Sequence, residues 1–186
     1  MATAQEQLWD VALDQHGYVT LRDAAELSID DYAVRMLVAR RQLGKTAHGV
    51  YRFPQIPATE YDPYMLAVLW TGAEEACLSH DSALAAYAIC DINPNRIHVT
   101  VAARRRIRRA GGEQYAVHYQ DLLGDQVGWW QQIPTVTLPT AISQCIGTGV
   151  PTYLLVQALE NAAKTGALVS VDRTRLAAEL SARDGS

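Results

Sequence analysis

Cysteine is scarce in this sequence, and several other marks of specialised protein classes are missing. Cys77, Cys90 and Cys145 are odd in number and widely spaced, which predicts buried thiols in a reducing compartment and excludes a disulfide framework. The apolar run from Tyr64 to Ala73 is far shorter than the roughly 20 residues that cross a bilayer. The N-terminus has no basic region followed by an apolar one. We therefore expect a soluble, cytoplasmic protein without a membrane partner.

The motifs of common enzymes and metalloproteins are also missing. The sequence contains no phosphate-binding loop, dinucleotide fingerprint or metal-ligand spacing, and its 5 histidines are dispersed. The segment Ser79-His80-Asp81-Ser82 has the residue types of a hydrolase triad, but neighbours in sequence do not form the required relay. Ser79 is predicted instead to cap a helix, and His80, His98 and His118 to be structural. We expect no catalytic residue, no metal and no cofactor.

The composition predicts a folded protein of two parts. Apolar residues make up 49% of the chain and charged residues 19%, without a low-complexity tract. A length of 186 residues suits one small and one larger domain. The turn-rich segment Pro57–Pro63 resembles a linker. We predict an α+β protein, with a winged helix-turn-helix in residues 1–56 and a mixed α/β domain in residues 57–186.

The prediction of a winged helix-turn-helix depends on the order of the first elements. Helical spacing of apolar residues begins near Leu8 and is stopped by Gly17, after which Thr20 can cap a second, short helix. A third helix is predicted to begin after the acids at positions 30 and 31 and to run to about Arg41. Residues 43–54 then alternate around a tight turn, as a β-hairpin does.

Charge is distributed unevenly along this first domain. The first 31 residues contain seven acids and one arginine, whereas positions 32–53 contain five basic residues and no acid. In a winged helix the third helix enters the major groove and the hairpin contacts phosphates or the neighbouring minor groove. The net charge of −4 argues against binding through bulk charge alone. The predicted DNA-binding residues are Tyr32, Arg35, Arg40 and Arg41 of the third helix, and Lys45, His48 and Arg52 of the wing.

Three segments, in this order, are similar to a known family. They are HGYVTLRDAAELSI with VARRQLGKTAHGVYRFP, then CLSHDSALAAYAICDINPNRIHVTV, then IPTVTLPTAISQCIGTGVP. This set resembles the AbiEi-type antitoxins of type IV toxin-antitoxin systems. The resemblance implies a regulator that represses its own promoter at an inverted repeat and antagonises a cognate nucleotidyltransferase-like toxin. One wing domain reads few base pairs, so two copies are expected to pair on DNA.

A second basic cluster lies in the middle of the chain. Strand-like alternation over Ile97–Val101 and Tyr115–Tyr119 flanks it, and the simplest prediction is a hairpin with a basic loop. Five arginines in six residues repel one another, which favours contact with DNA or with the toxin. The cluster consists of Arg104, Arg105, Arg106, Arg108 and Arg109. Apolar spacing downstream predicts helices near 139–146, after Pro151 and over 174–182.

Two hypotheses from different classes follow. The first is a DNA-binding antitoxin and autorepressor whose C-terminal domain counteracts the toxin. The second is a protein-interaction module whose winged helix binds no DNA. An enzyme acting on nucleic acid would need a carboxylate or histidine cluster, which the sequence does not reveal.

Overall fold

The computed structural model describes residues 2–185 and divides into two compact units. The first unit contains the chain up to Ala76, together with Arg106–Gly112 and Gln131–Ile133. The second unit contains Cys77–Arg105, Glu113–Trp130 and the chain from Pro134 onward. The first unit thus includes residues beyond position 56, and the functional division at that position stays a prediction.

The first unit begins with the elements of a winged helix-turn-helix, as the sequence predicts. In chain order they are α1 (Ala4–Asp14), β1 (Tyr18–Thr20), α2 (Leu21–Glu26), α3 (Asp31–Ala39), β2 (Gly44–Ala47) and β3 (Val50–Arg52). The helix α4 (Asp62–Trp70) follows. The three strands form an antiparallel sheet in the order β1-β3-β2.

Local hydrogen bonds fix the helix starts of this domain. Thr20 forms a capping box with Asp23 at the start of α2, as Thr3 does with Glu6 at the start of α1. Asp30 accepts the backbone N–H of Ala33 at 2.8 Å and caps α3. These caps satisfy amide groups that have no partner within a helix. The predicted cap at Thr20 is therefore confirmed.

The core of the winged helix-turn-helix is formed by side chains from every one of its helices. Leu8, Val34, Leu43 and Phe53 are almost completely buried. The ring of Phe53 lies edge-on to that of Trp9, with 5.1 Å between the ring centroids. This packing orients the outer surface of α3 and the hairpin toward solvent.

The second unit is a mixed α/β arrangement, as expected. Its strands are β4 (Cys77–Leu78), β5 (Ile97–Val101), β6 (Tyr115–Tyr119), β7 (Val127–Trp130) and β8 (Ile133–Val136), in the sheet order β6-β5-β4-β8-β7. Its helices are α5 (His80–Tyr87), α6 (Leu138–Gly147), α7 (Thr152–Lys164) and α8 (Ser170–Asp184), with a 3-10 turn at Gly124–Gln126. Buried side chains of α5, α6, α7 and α8 form one apolar core. The helix α8 is longer than predicted.

The prediction of a hairpin around the arginine cluster is wrong. Strands β5 and β6 pair in parallel, with Ile97 opposite Tyr115 and Val101 opposite Tyr119. A parallel pair cannot be joined by a tight turn, because the chain must return to the starting end of the sheet. The arginines therefore lie in a crossover connection.

No helix within residues 2–185 has both the length and the apolar character that a membrane crossing requires.

Candidate functional site

The helix α3 presents an exposed surface of the composition expected for groove binding. Val34 and Leu37 are buried, whereas Tyr32 is 63% exposed and Arg35 is exposed. Phenol and guanidinium groups can both donate hydrogen bonds to phosphates or base edges. Val34 and Leu37 thus mark the inward face of this 9-residue helix.

The end of α3 differs from the prediction by two residues. The helix ends at Ala39, and Arg40 is its C-cap with an exposed side chain. Arg41 has a φ of 58°, and its backbone N–H donates to the Val38 carbonyl at 2.9 Å. A left-handed residue stops a helix and turns the chain. Arg40 and Arg41 thus mark the start of the turn into the wing, with both side chains exposed.

The wing is a short hairpin with a basic outer surface. Lys45 and His48 are exposed, while Val50 and Tyr51 pack inward. Gly49 has a φ of 71°, a conformation that glycine adopts without strain, and so permits the tight turn. A register shift between Lys45 and Ala47 bends β2. The exposed groups of α3 and of this hairpin therefore belong to one domain and remain our proposed DNA contacts.

Arg52 is directed inward and engaged within the first unit. Its Nε donates to Oδ2 of Asp62 at 3.1 Å, and its Nη2 lies 3.0 Å from the same oxygen. The guanidinium carbon is 5.6 Å from the ring centroid of Tyr18. The side chains of Arg52 and Asp62 are only 17% and 11% exposed. Because the guanidinium is largely buried and paired with Asp62, we leave Arg52 out of the proposed interface.

The arginine cluster divides into exposed and half-buried members. Arg104, Arg106 and Arg108 are exposed, whereas Arg105 and Arg109 are half-buried. Nη1 of Arg109 donates to the carbonyl of His48 at 2.8 Å, at the turn of the wing. Burial lowers the pKa of Arg109, and the charge of Arg22 adds to the effect. Arg109 therefore fixes the wing turn, and the exposed members remain the proposed contacts.

Gly72 provides the space for the Arg109 side chain and yields a testable prediction. Gly72 has a φ of 67°, and a Cβ at this position would collide with the guanidinium of Arg109. Nη2 of Arg22 also donates to the Gly72 carbonyl at 2.6 Å. We expect Gly72→Ala to destabilise the first unit by about 1–2 kcal/mol, the cost of a left-handed backbone for a residue with a Cβ. Urea unfolding measures this loss.

A double-mutant cycle tests the collision separately from the backbone strain. Arg109→Ala removes the group that the new Cβ meets, so Gly72→Ala should cost less in that background. The conformational cost of the positive φ remains in both backgrounds. Strict additivity of the two substitutions would contradict the contact between Gly72 and Arg109.

Three histidines that are distant in the sequence lie together in the second unit. Nδ1 of His98 is 3.0 Å from Nε2 of His118, and the rings of His80 and His118 stack with centroids 3.5 Å apart. One ring nitrogen from each histidine lies within 4.8 Å of the others. The three histidines are far apart in the sequence, and for that reason we predicted no metal site, but they lie close together in the folded chain. The alternation of side chains in β5 and β6 predicts which face of its own strand His98 or His118 occupies. It does not predict that the two strands pair, and this pairing brings the two side chains together.

The environment of this histidine cluster keeps the rings neutral. Burial, together with the neighbouring His118 and His98, lowers the pKa of His80 to about 3. Burial likewise lowers the pKa of His118 to about 4. The pKa of His98 is lowered by burial, against an opposing effect of the Asp81 carboxylate. Neutral imidazoles can accept hydrogen bonds or bind metal ions.

Ser79 does not act as the predicted helix cap through its hydroxyl group. It stands at the N-cap position of α5, but its side chain makes no capping hydrogen bond. Oγ instead lies 2.9 Å from Nδ1 of His80 and accepts the hydroxyl of Thr100 at 2.7 Å. Ser79 is fully buried, and Asp81 accepts from the thiol of Cys145 at 3.8 Å, so these residues do not form a hydrolase triad.

A polar cleft of about 360 Å³ borders the cluster. His80 lines it together with Gln120, Gln126, Ser143, Gln144 and Arg175. Gln144 is ordered by two hydrogen bonds, since its Oε1 accepts the His80 N–H at 3.1 Å and its Nε2 donates to Gln120 at 2.8 Å. His80, which is buried, is the member of the histidine cluster that lines this cleft.

These elements define a class of protein: a winged helix-turn-helix with an exposed basic surface, followed by a mixed α/β unit. Residues 6–54 match the family described as transcriptional regulator, AbiEi antitoxin. The first domain is therefore similar to AbiEi antitoxin regulators, and the resemblance predicted from the sequence is confirmed over this segment.

A likeness to a solved structure extends over most of the chain. The crystal structure of the RV2827C protein from Mycobacterium tuberculosis aligns with 95% of this chain and 71% of its own, with a TM-score of 0.55. The identity is 17%, so the likeness concerns the fold alone. Among curated proteins, none matches the sequence.

Proposed function

We propose that this protein is a DNA-binding antitoxin that represses its own toxin-antitoxin operon. The observation that carries the proposal is the acid-free stretch at positions 32–53 of the AbiEi-type domain, whose exposed basic side chains lie on α3 and the wing. Its proposed contacts are Tyr32, Arg35, Arg40 and Arg41 from the helix side and Lys45 and His48 from the hairpin. The helix fits the width of the major groove, and the hairpin can reach the adjacent backbone.

The proposed operator is an inverted repeat in the promoter of the protein's own operon. One winged helix contacts a few base pairs, so specificity for a promoter requires two domains on neighbouring half-sites. The helix α3 and the wing would both face the duplex. The first 31 residues, which include α1, carry seven acids and would be repelled by the phosphates. Two copies of the chain are therefore proposed to pair on DNA.

The second unit is proposed to counteract a nucleotidyltransferase-like toxin encoded beside it. The family description of the first domain includes the antitoxin role, which supports this part of the proposal. Arg104 of this unit and Arg108 in the neighbouring segment Arg106–Gly112 are both exposed and offer charged groups for an acidic partner or for phosphates. A regulator of this kind works by binding, and we propose no catalytic step for it.

A gel shift with DNA from upstream of the gene tests the repressor function. We expect a discrete complex whose affinity falls steeply as salt rises, because Lys and Arg contacts release counterions from phosphates. A duplex of equal length and shuffled sequence is the control. If neither duplex is shifted at low salt, the winged helix is a protein-interaction module, which is the alternative hypothesis.

Co-expression with the product of the neighbouring gene tests the antitoxin function. The full chain should restore growth that the toxin arrests, and a chain with Arg104→Gln and Arg108→Gln should restore it less or bind DNA more weakly. Unchanged growth rescue and unchanged DNA affinity would remove these arginines from the proposal.

A further inference from the structure

The histidine cluster of His80, His98 and His118 goes beyond the proposed function, because neither DNA binding nor repression uses it. Three separate elements contribute to it, namely the first residue of α5 and the strands β5 and β6. In the parallel pair, His118 lies opposite Thr100, two residues beyond His98. Residues two apart in a strand point to the same face, so the sheet directs His98 and His118 to one side. The pairing thus creates the cluster.

The spacing of the ring nitrogens is close to that of a metal site. In a tetrahedral zinc site with Zn–N bonds of about 2.0–2.1 Å, two ligand nitrogens lie about 3.3 Å apart. The distance between His98 Nδ1 and His118 Nε2 is 3.0 Å, and the third nitrogen lies within 4.8 Å. A cation between the first two rings would replace the proton that they share. To complete the set, His80 would have to tilt out of its stack with His118, in which the ring planes differ by 16°.

The groups around the rings support a ligand role. Nδ1 of His80 is 2.9 Å from Ser79 Oγ, which leaves Nε2 for a ligand bond. Hydrogen bonds to the second ring nitrogen orient ligating histidines in metal sites.

The neighbouring thiols are poor competitors for the same ion. Burial raises the pKa of Cys77 to about 12 and also raises the pKa of Cys145. A thiol binds zinc as the thiolate, which these pKa values disfavour. Within residues 2–185, the potential ligand atoms that converge here are the three imidazole nitrogens.

We propose that His80, His98 and His118 bind one divalent transition-metal cation of the zinc class, with the remaining coordination position open to the polar cleft. Three imidazoles and a water molecule are a known ligand set for zinc, and imidazole also suits copper, nickel and iron. The ion joins α5 to the β5–β6 pair, so its binding stabilises the second unit.

Titration of the untagged full chain with zinc chloride, after removal of metal with a chelator, tests this site. We expect saturable binding of one Zn²⁺ per chain by calorimetry and a rise in the unfolding midpoint, since an ion that binds only the folded state stabilises it. Cobalt should give the visible absorption of a four-coordinate site. His98→Gln and His118→Gln should each abolish the one-to-one binding.

Two control variants keep this result interpretable. His48→Gln removes an exposed histidine of the wing, and Cys90→Ser removes the thiol that is least buried; both should retain one Zn²⁺. Where a cluster variant is unstable, imidazole ¹⁵N spectra of the unsubstituted chain should show zinc-dependent shifts confined to the three histidines. Zinc binding that survives both cluster substitutions, or that is absent from the wild type, would overturn the proposal. DNA binding is measured separately, so failure here leaves the proposed repressor function intact.

Discussion

A chain carrying Arg35→Ala and Arg40→Ala is expected to lose its complex with operator DNA. Both side chains are exposed, one on α3 and one at its C-cap. An arginine that contacts a base is worth about 1–3 kcal/mol, so removing two corresponds to at least about a 30-fold rise in Kd. Where an arginine binds a phosphate, its removal also lowers the salt slope by about one. Fluorescence anisotropy with a labelled operator over several salt concentrations measures both quantities.

A matched variant controls for the change in net charge. Arg96→Ala with Arg173→Ala also removes two exposed arginines, but from the second unit and outside the arginine cluster. This control should keep its Kd within a few-fold of the wild-type value. An intact Kd and salt slope in the Arg35 and Arg40 variant would show that α3 does not carry the DNA-binding surface.

Asp62→Ala is expected to destabilise the first unit more than any surface substitution. The carboxylate of Asp62 receives hydrogen bonds from Arg52 Nε at 3.1 Å and from both the N–H and the hydroxyl of Thr59 at 2.9 and 2.8 Å. Removing it leaves the guanidinium of Arg52 buried without its counter-charge. Breaking a buried pair in this way costs about 3–5 kcal/mol. Urea denaturation gives the free energy of unfolding, and hydrogen exchange assigns the loss to the first unit.

An exposed ion pair of the second unit is the control for this prediction. Asp172 and Arg175 have side chains that are 32% and 47% exposed, and Asp172→Ala should cost less than about 1 kcal/mol. Replacing both buried partners, with Arg52→Met and Asp62→Leu, should recover much of the loss because no charge stays buried. If Asp62→Ala costs as little as this exposed control, Arg52 is not held internally. Arg52 would then return to the proposed DNA contacts.

Local sequence patterns were sufficient to predict most helices and strands. The spacing of apolar residues, the caps at Thr20 and near Asp30, and the glycine at the turn of the wing each act within a few residues. Such interactions involve residues that are close in the sequence, so the winged helix-turn-helix could be predicted from the sequence alone. The predicted ends of the elements were less accurate than their types. The helix α3 ends two residues earlier than predicted because the backbone of Arg41 is left-handed.

The direction of strand pairing could not be predicted in this way. The alternation in Ile97–Val101 and Tyr115–Tyr119 is the same for a parallel and an antiparallel pair. Only the position of the whole segment in the fold decides which pairing buries more apolar surface. The parallel pairing turned the expected hairpin into a crossover, and it also aligned His98 with His118.

The sequence by itself determined the class of the first domain, its acid-free stretch at positions 32–53 and the likeness to AbiEi antitoxins, because each of these is a property of contiguous residues. The tertiary structure alone decided which charged and polar groups are available for binding. It paired Arg52 with Asp62, directed Arg109 to the wing turn and gathered three histidines from separate elements. The physical reason is that burial and long-range contact depend on how distant segments of the chain pack. An arginine or histidine in the sequence does not indicate whether its side chain faces solvent or a buried partner.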